Sequence, residues 1–133
     1  MKKKIFTIIG ISLVLINACK KKEDEDVIKK SEPKIVINDP KKAYYEIGDT
    51  AVVNVVITDD IELHEAKCWF ITRPQNDTIW SIKRHSHSKA INFNSYYVIG
   101  KLPEEQIVDF VVVAENEEGK KTTAKHTFEV HDH

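Results

Sequence analysis

The chain has 133 residues, enough for one modest domain, with 20 Lys and Arg against 21 Asp and Glu, for a net charge of −1. A near-neutral balance gives no general electrostatic pull toward nucleic acid. Only two cysteines, Cys19 and Cys68, exclude a disulfide framework.

The N-terminus reads MKKKIFTIIGISLVLINAC. Lys2, Lys3 and Lys4 form a positive flank, and Ile5 to Ala18 is a mostly apolar run. That run is short of the roughly 20 apolar residues a membrane span needs, and it fits the hydrophobic region of a secretory signal. Ile16-Asn17-Ala18-Cys19 resembles a bacterial lipobox, with Ile16 and Asn17 where Leu and a small residue are usual. The resemblance implies cleavage after Ala18 and lipidation, palmitate included, of Cys19. An ordinary cleaved signal with an incidental cysteine is the plainer alternative. Several acyl chains would hold the protein firmly, since each buried CH₂ contributes roughly 0.8 kcal/mol and one chain alone is marginal. Loss of residues 1–18 removes three lysines and leaves 115 residues at net charge −4.

Residues 19–33, CKKKEDEDVIKKSEP, carry charges of both signs and almost nothing apolar. Such a stretch cannot bury enough surface to offset its ordering entropy, so a flexible tether is expected. Lys20 to Asp26 after the cysteine resembles the surface-export signal of Bacteroidota lipoproteins, which implies an outer-membrane protein facing the cell exterior. A plain solvated linker would look the same.

From Lys34 onward the texture is that of short strands. KIVIN alternates and stops at Asp39-Pro40. YYEIGDT carries a turn at Gly48-Asp49. AVVNVVITD is β-branched and ends at Asp59-Asp60. LHEAKCWFITR, DTIWSIKRHSH, AINFNSYYVIG, QIVDFVVVAE and KKTTAKHTFEV follow, separated by turns at Pro74 to Asp77, Leu102 to Glu105 and Asn116 to Gly119. No segment holds a helical period. Seven to eight strands at this spacing predict an all-β domain over 34–133, an antiparallel sandwich of two packed sheets. The ending FVVVAENEEGKKTTAKHTFEV resembles the last hairpin of bacterial immunoglobulin-like domains, with Trp69 in place of the core tryptophan of the third strand. The whole resembles small Bacteroidota lipoproteins of unknown function with one such domain and His-rich strands.

The chemistry is sparse. In RHSHS, His85 and His87 sit two apart, and residues two apart on a strand share a face. Two imidazoles can start a zinc or copper site, but a third or fourth ligand is needed. His131 and His133, flanking Asp132, are the candidates to complete it. A solvated strand face is the competing reading. His126 and His64 lie on inward parities and read as hydrogen-bonded residues in or beside the core, and Cys68 as a buried inert thiol.

HEAKC starts like a zincin helix motif but has Cys68 in place of the second His and lies in a strand. No nucleophile elbow, CxxC or phosphate loop occurs, so no enzyme is expected. Tyr44, Tyr45, Trp80, Tyr96 and Tyr97 could present a platform to a glycan or an outer-membrane protein partner. Asp49-Thr50-Ala51 and Asp77-Thr78-Ile79 resemble O-glycosylation acceptors of exported Bacteroidota proteins, at Thr50 and Thr78. The expectation is a non-catalytic binding or accessory module, lipid-anchored and monomeric. A structural envelope protein without ligand is the alternative.

Overall fold

The computed structural model describes residues 31–102 and 106–132. The signal, Cys19, most of the tether, the corner at Pro103 to Glu105, and His133 lie outside the described residues.

Among the described residues, eight strands form two sheets: β1 (Lys34–Asp39), β2 (Tyr44–Glu46), β3 (Thr50–Thr58), β4 (Leu63–Arg73), β5 (Thr78–His85), β6 (Ala90–Val98), β7 (Gln106–Asn116) and β8 (Lys121–His131). One sheet has the order β1-β3-β6, the other β2-β8-β7-β4-β5. Among the described residues there is no helix. The all-β sandwich expected from the sequence is the fold found.

The alternation of β-branched and polar residues builds the core. Along β3, Ala51, Val53, Val55 and Ile57 point inward, fully buried. They face Cys68, Phe70, Val108, Phe110 and Val112 of the larger sheet, equally closed to solvent. Phe70 is the hub, with ring centroids 5.1 Å from Phe110, 5.2 Å from Trp80, 5.7 Å from Tyr97 and 5.8 Å from Phe128. Cys68 is free and buried, and burial pushes its thiol pKa up to about 12.

Three local features differ from the sequence pattern. YYE is a strand of its own, running parallel to the end of β8. Trp69 is not the core tryptophan. Because Cys68 and Phe70 point inward, alternation turns Trp69 to the outer face, where Lys67 Nζ lies 5.1 Å from its ring. The inward position beside it belongs to Phe70. Finally, His64 is exposed and not in the core.

One end of the sandwich is closed by a polar lock. Asn116, 1% exposed, ends β7. Its Nδ2 donates to Ser31 O at 3.1 Å and to Asp59 Oδ2 at 2.9 Å. Its Oδ1 accepts from the Glu118 and Lys120 amides at 2.9 and 3.1 Å. The Ser31 hydroxyl donates to Asp59 Oδ1. Gly119, at φ +82°, lets the tight β7–β8 turn close. Asn116 thus joins the turn, the β3–β4 loop and the first described residue of the chain.

Candidate functional site

The same end gathers three of the six histidines. The β4–β7 register slips between Leu63 and Glu65, a β-bulge that gives β4 one residue more than its partner. Leu63 stays buried, and His64 turns out to solvent with 48% of its side chain exposed. Parity counted back from Ala66 would put it inside; the bulge breaks that count.

β5 stops at His85, so His87 sits in the following loop rather than on the strand. That loop folds back on the start of β4. The Leu63 amide donates to Ser88 O at 2.8 Å and the Ser86 amide to His64 O at 3.1 Å. Ser86 Oγ receives the Ser88 amide at 3.0 Å, and Ser88 Oγ donates to Ala90 O at 2.7 Å. These small hydroxyl residues shape the loop and aim His87 at the β7–β8 turn. Glu117 of that turn is fixed by its own amide, which donates to Glu62 O at 2.9 Å.

The side chains form two carboxylate-centred groups. His87 Nδ1 lies 3.1 Å and His64 Nδ1 3.7 Å from Glu117 Oε1. His85 Nδ1 lies 3.5 Å and Lys83 Nζ 3.2 Å from Glu65 Oε2. The His64 and His85 rings link the groups, 6.0 Å apart and near perpendicular. The Lys83 hydrogen bond lowers the Glu65 pKa; desolvation opposes it, and the charges of Lys83, His85 and His64 add to the lowering. All three histidines meet a carboxylate through Nδ1. At His87 this contact is a hydrogen bond, the arrangement by which a carboxylate orients a metal-ligating imidazole and leaves Nε2 as the ligand atom, whereas His64 and His85 stand at ion-pair distance. In the described arrangement no set of three such side chains converges on a single metal position. His85 and His87 are 66% and 83% exposed, so both have room to swing.

His131 is not part of this group. Val130 pairs with Gln106 at the start of β7, whereas the cluster lies beside its end at Asn116. Eleven residues at about 3.3 Å each separate the two, on the order of 30 Å. His131 instead stacks on Tyr44, ring centroids 5.3 Å apart and 13° between planes. A concavity of about 380 Å³ lined by Lys42, Ala43, Tyr44, Glu46 and Asp49 lies at that end. His126 accepts the reading beside the core, its Nε2 2.7 Å from Lys42 O.

The aromatic residues do not share one face. Tyr45 is buried against Phe128, Trp80 and Tyr97 pack on the core, and Tyr44 and Tyr96 are exposed on different sheets. Thr50 and Thr78 are both exposed, each the first residue of its strand.

The fold and this site define a small all-β sandwich with a histidine–carboxylate cluster at one end. No protein-family model matches the sequence, and no curated protein does. Among solved structures the fold is similar to that of Spo0M, a sporulation control protein from Bacillus subtilis, at 12% identity and a TM-score of 0.52. The match covers 80% of this chain and 51% of that one, so this chain spans about half its length. A superoxide reductase (neelaredoxin) from Ignicoccus hospitalis matches at 9% identity and a TM-score of 0.46, over 74% of this chain and 80% of that one. The first likeness concerns the fold alone; the second is too weak to bear on it.

Proposed function

We propose that this protein is a lipid-anchored, non-catalytic binding module of the bacterial outer membrane, facing the cell exterior, that captures zinc or copper ions. The strand order, with a parallel β2–β8 pair at one edge, supports reading the sandwich as immunoglobulin-like. The observation that carries the metal reading is the set His64, His85 and His87, each with Nδ1 turned to Glu65 or Glu117. The carboxylates orient the rings, and three Nε2 atoms remain for a soft-to-borderline divalent ion. Lys83 is already paired with Glu65, which reduces its repulsion of a cation.

Calorimetric titration of residues 19–133 carrying Cys19→Ser, with zinc, copper and nickel, tests this. One ion per chain should bind with micromolar affinity or better. His64→Ala and the His85→Ala/His87→Ala pair should each weaken it at least tenfold, while truncation after Val130 should leave it unchanged. No binding, or loss on truncation alone, would overturn the cluster as the site. A module that binds a glycan or an outer-membrane protein is the second reading, supported by exposed Tyr44 beside the 380 Å³ concavity.

The anchor has a separate test. The intact mass of the native protein should show residues 19–133 plus acyl chains, lost in Cys19→Ser. The same spectrum reads hexose additions at Thr50 and Thr78. A mass equal to the bare polypeptide would refute both modifications.

A further inference from the structure

Among the described residues the sandwich has four edge strands, β1, β6, β2 and β5. An open edge offers unpaired backbone groups to any other strand, and proteins usually block it with charge, proline, bulges or shortness. Three of the four edges are blocked. β1 carries Lys34, a register slip between Ile37 and Asp39, and Pro40 at its end. β2 has three residues, and the part of β8 beyond it carries Lys121 and Lys125. β5 carries Lys83 and Arg84.

β6 has none of these devices. Its nine residues, AINFNSYYV, include no charge and no proline, and its pairing with β3 runs from Thr50–Val98 to Thr58–Ala90 without a slip. On its outer face, asparagines form a ladder across the sheet. Asn38 Nδ2 donates to Asn54 Oδ1 at 2.9 Å, and Asn54 Nδ2 donates to Asn94 Oδ1 at 2.8 Å. The ladder stops at the open edge, where the Asn94 amide nitrogen still has hydrogens to donate. Asn94 is also the middle residue of β6.

We propose that the open edge of β6 pairs antiparallel with β6 of a second copy, about a two-fold axis at Asn94. An edge pair of this kind is self-complementary. Asn94 faces Asn94 of the second copy, Asn92 faces Tyr96, and Ala90 faces Val98. The two ladders then join into one row of six amides across a six-stranded sheet. Directly opposed residues have Cβ atoms about 4.5–5.5 Å apart, within reach of an amide–amide hydrogen bond. The absence of charge on the strand lets two identical edges meet without repulsion. Lys89 precedes the strand and lies outside the pairing, and Arg84 is turned over the buried Phe93 ring at 5.6 Å. This departs from the monomer expected from the sequence and is independent of the metal reading.

Cysteine cross-linking of the full chain in native membranes tests both pairing and register. With diamide as oxidant, Asn94→Cys should give a disulfide-linked dimer. Asn92→Cys alone should not, whereas co-expressed Asn92→Cys and Tyr96→Cys chains should. The parent chain, with Cys68 buried, is the control. In detergent, Asn94→Lys should reduce the particle to one copy per anchor-solubilised unit with its thermal midpoint little changed. Absence of the Asn94→Cys dimer, together with a monomer mass at about 100 µM, would overturn the proposal. Equal cross-linking at all three positions would overturn the register.

Discussion

Replacing Phe70 with alanine is expected to lower stability by about 3–5 kcal/mol, the range for truncating a large aromatic in a closed core. Phe70 is fully buried and touches four other rings, drawn from β5, β6, β7 and β8. No neighbour can collapse into the space without breaking another contact, because those rings are themselves held by the two sheets. A domain of this size has a total stability of roughly 5–15 kcal/mol, so the variant should sit close to unfolding at 37 °C. Phe70→Leu keeps most of the volume and should cost under about 1.5 kcal/mol. Urea unfolding followed by tryptophan fluorescence, in a Trp69→Phe background so that Trp80, 5.2 Å from Phe70, is the reporter, measures both. A loss below 1 kcal/mol in the alanine variant would mean that the core repacks, and that Phe70 is not its hub.

The second large effect is expected at Asn116. Its amide makes four hydrogen bonds at nearly zero exposure. Asn116→Ala leaves those partners without it, at a cost on the order of 2–4 kcal/mol. Asn116→Asp does something different. It removes both donors and places a carboxyl group 2.9 Å from Asp59 Oδ2, and two carboxylates at that distance cannot both ionise readily. The new group's folded-state pKa is therefore raised above its unfolded value. Its protonated form is favoured in the fold, so the penalty should shrink as pH falls and grow as pH rises through that raised pKa. The wild type runs the other way. Burial raises the Asp59 pKa, but hydrogen bonds from Ser31, Asn116 and the amides of Ile61 and Asp60 outweigh it, and the net shift is downward. Asp59 thus contributes stability that is present above about pH 4, the unfolded carboxyl value, and is lost as pH falls through the lower folded value. Unfolding curves between pH 3 and pH 7 should show the two slopes with opposite sign. Parallel slopes would refute the lock.

Most of the fold is legible in the sequence because its signals are local. The β4 segment, LHEAKCWFITR, runs from Leu63 to Arg73 as alternation and flanking turns predict. β3, β7 and β8 are similarly plain, being β-branched and bounded by Gly, Asp or Asn. What the sequence hides depends on partners far along the chain. β2 has only three residues, and its strand identity comes from β8, more than eighty residues away. The bulge that exposes His64 exists only in the register between β4 and β7. No residue near position 64 announces it, so alternation alone places the histidine that joins His85 and His87 on the inward face. The reverse holds for His131: its chemistry is legible, but its distance from His85 is set by topology. The place of Trp69 is legible from alternation, since a buried Cys68 and Phe70 leave it only the outer face.

The polar lock and the parallel β2–β8 pair have a mechanical consequence. Ser31 is held beside Asn116 at one end of the sandwich, and His131 leaves from the other. A force pulling these two points apart runs along the strands and not across them. Under such a load the β1–β3 ladder and the β2–β8 contacts, including Ile47 N to His131 O at 3.1 Å and Glu129 N to Ala43 O at 3.0 Å, bear strain together. Bonds loaded in shear must break in concert, whereas a sheet pulled from one end unzips bond by bond. A load applied between Ser31 and His131 would therefore meet a stiff strut.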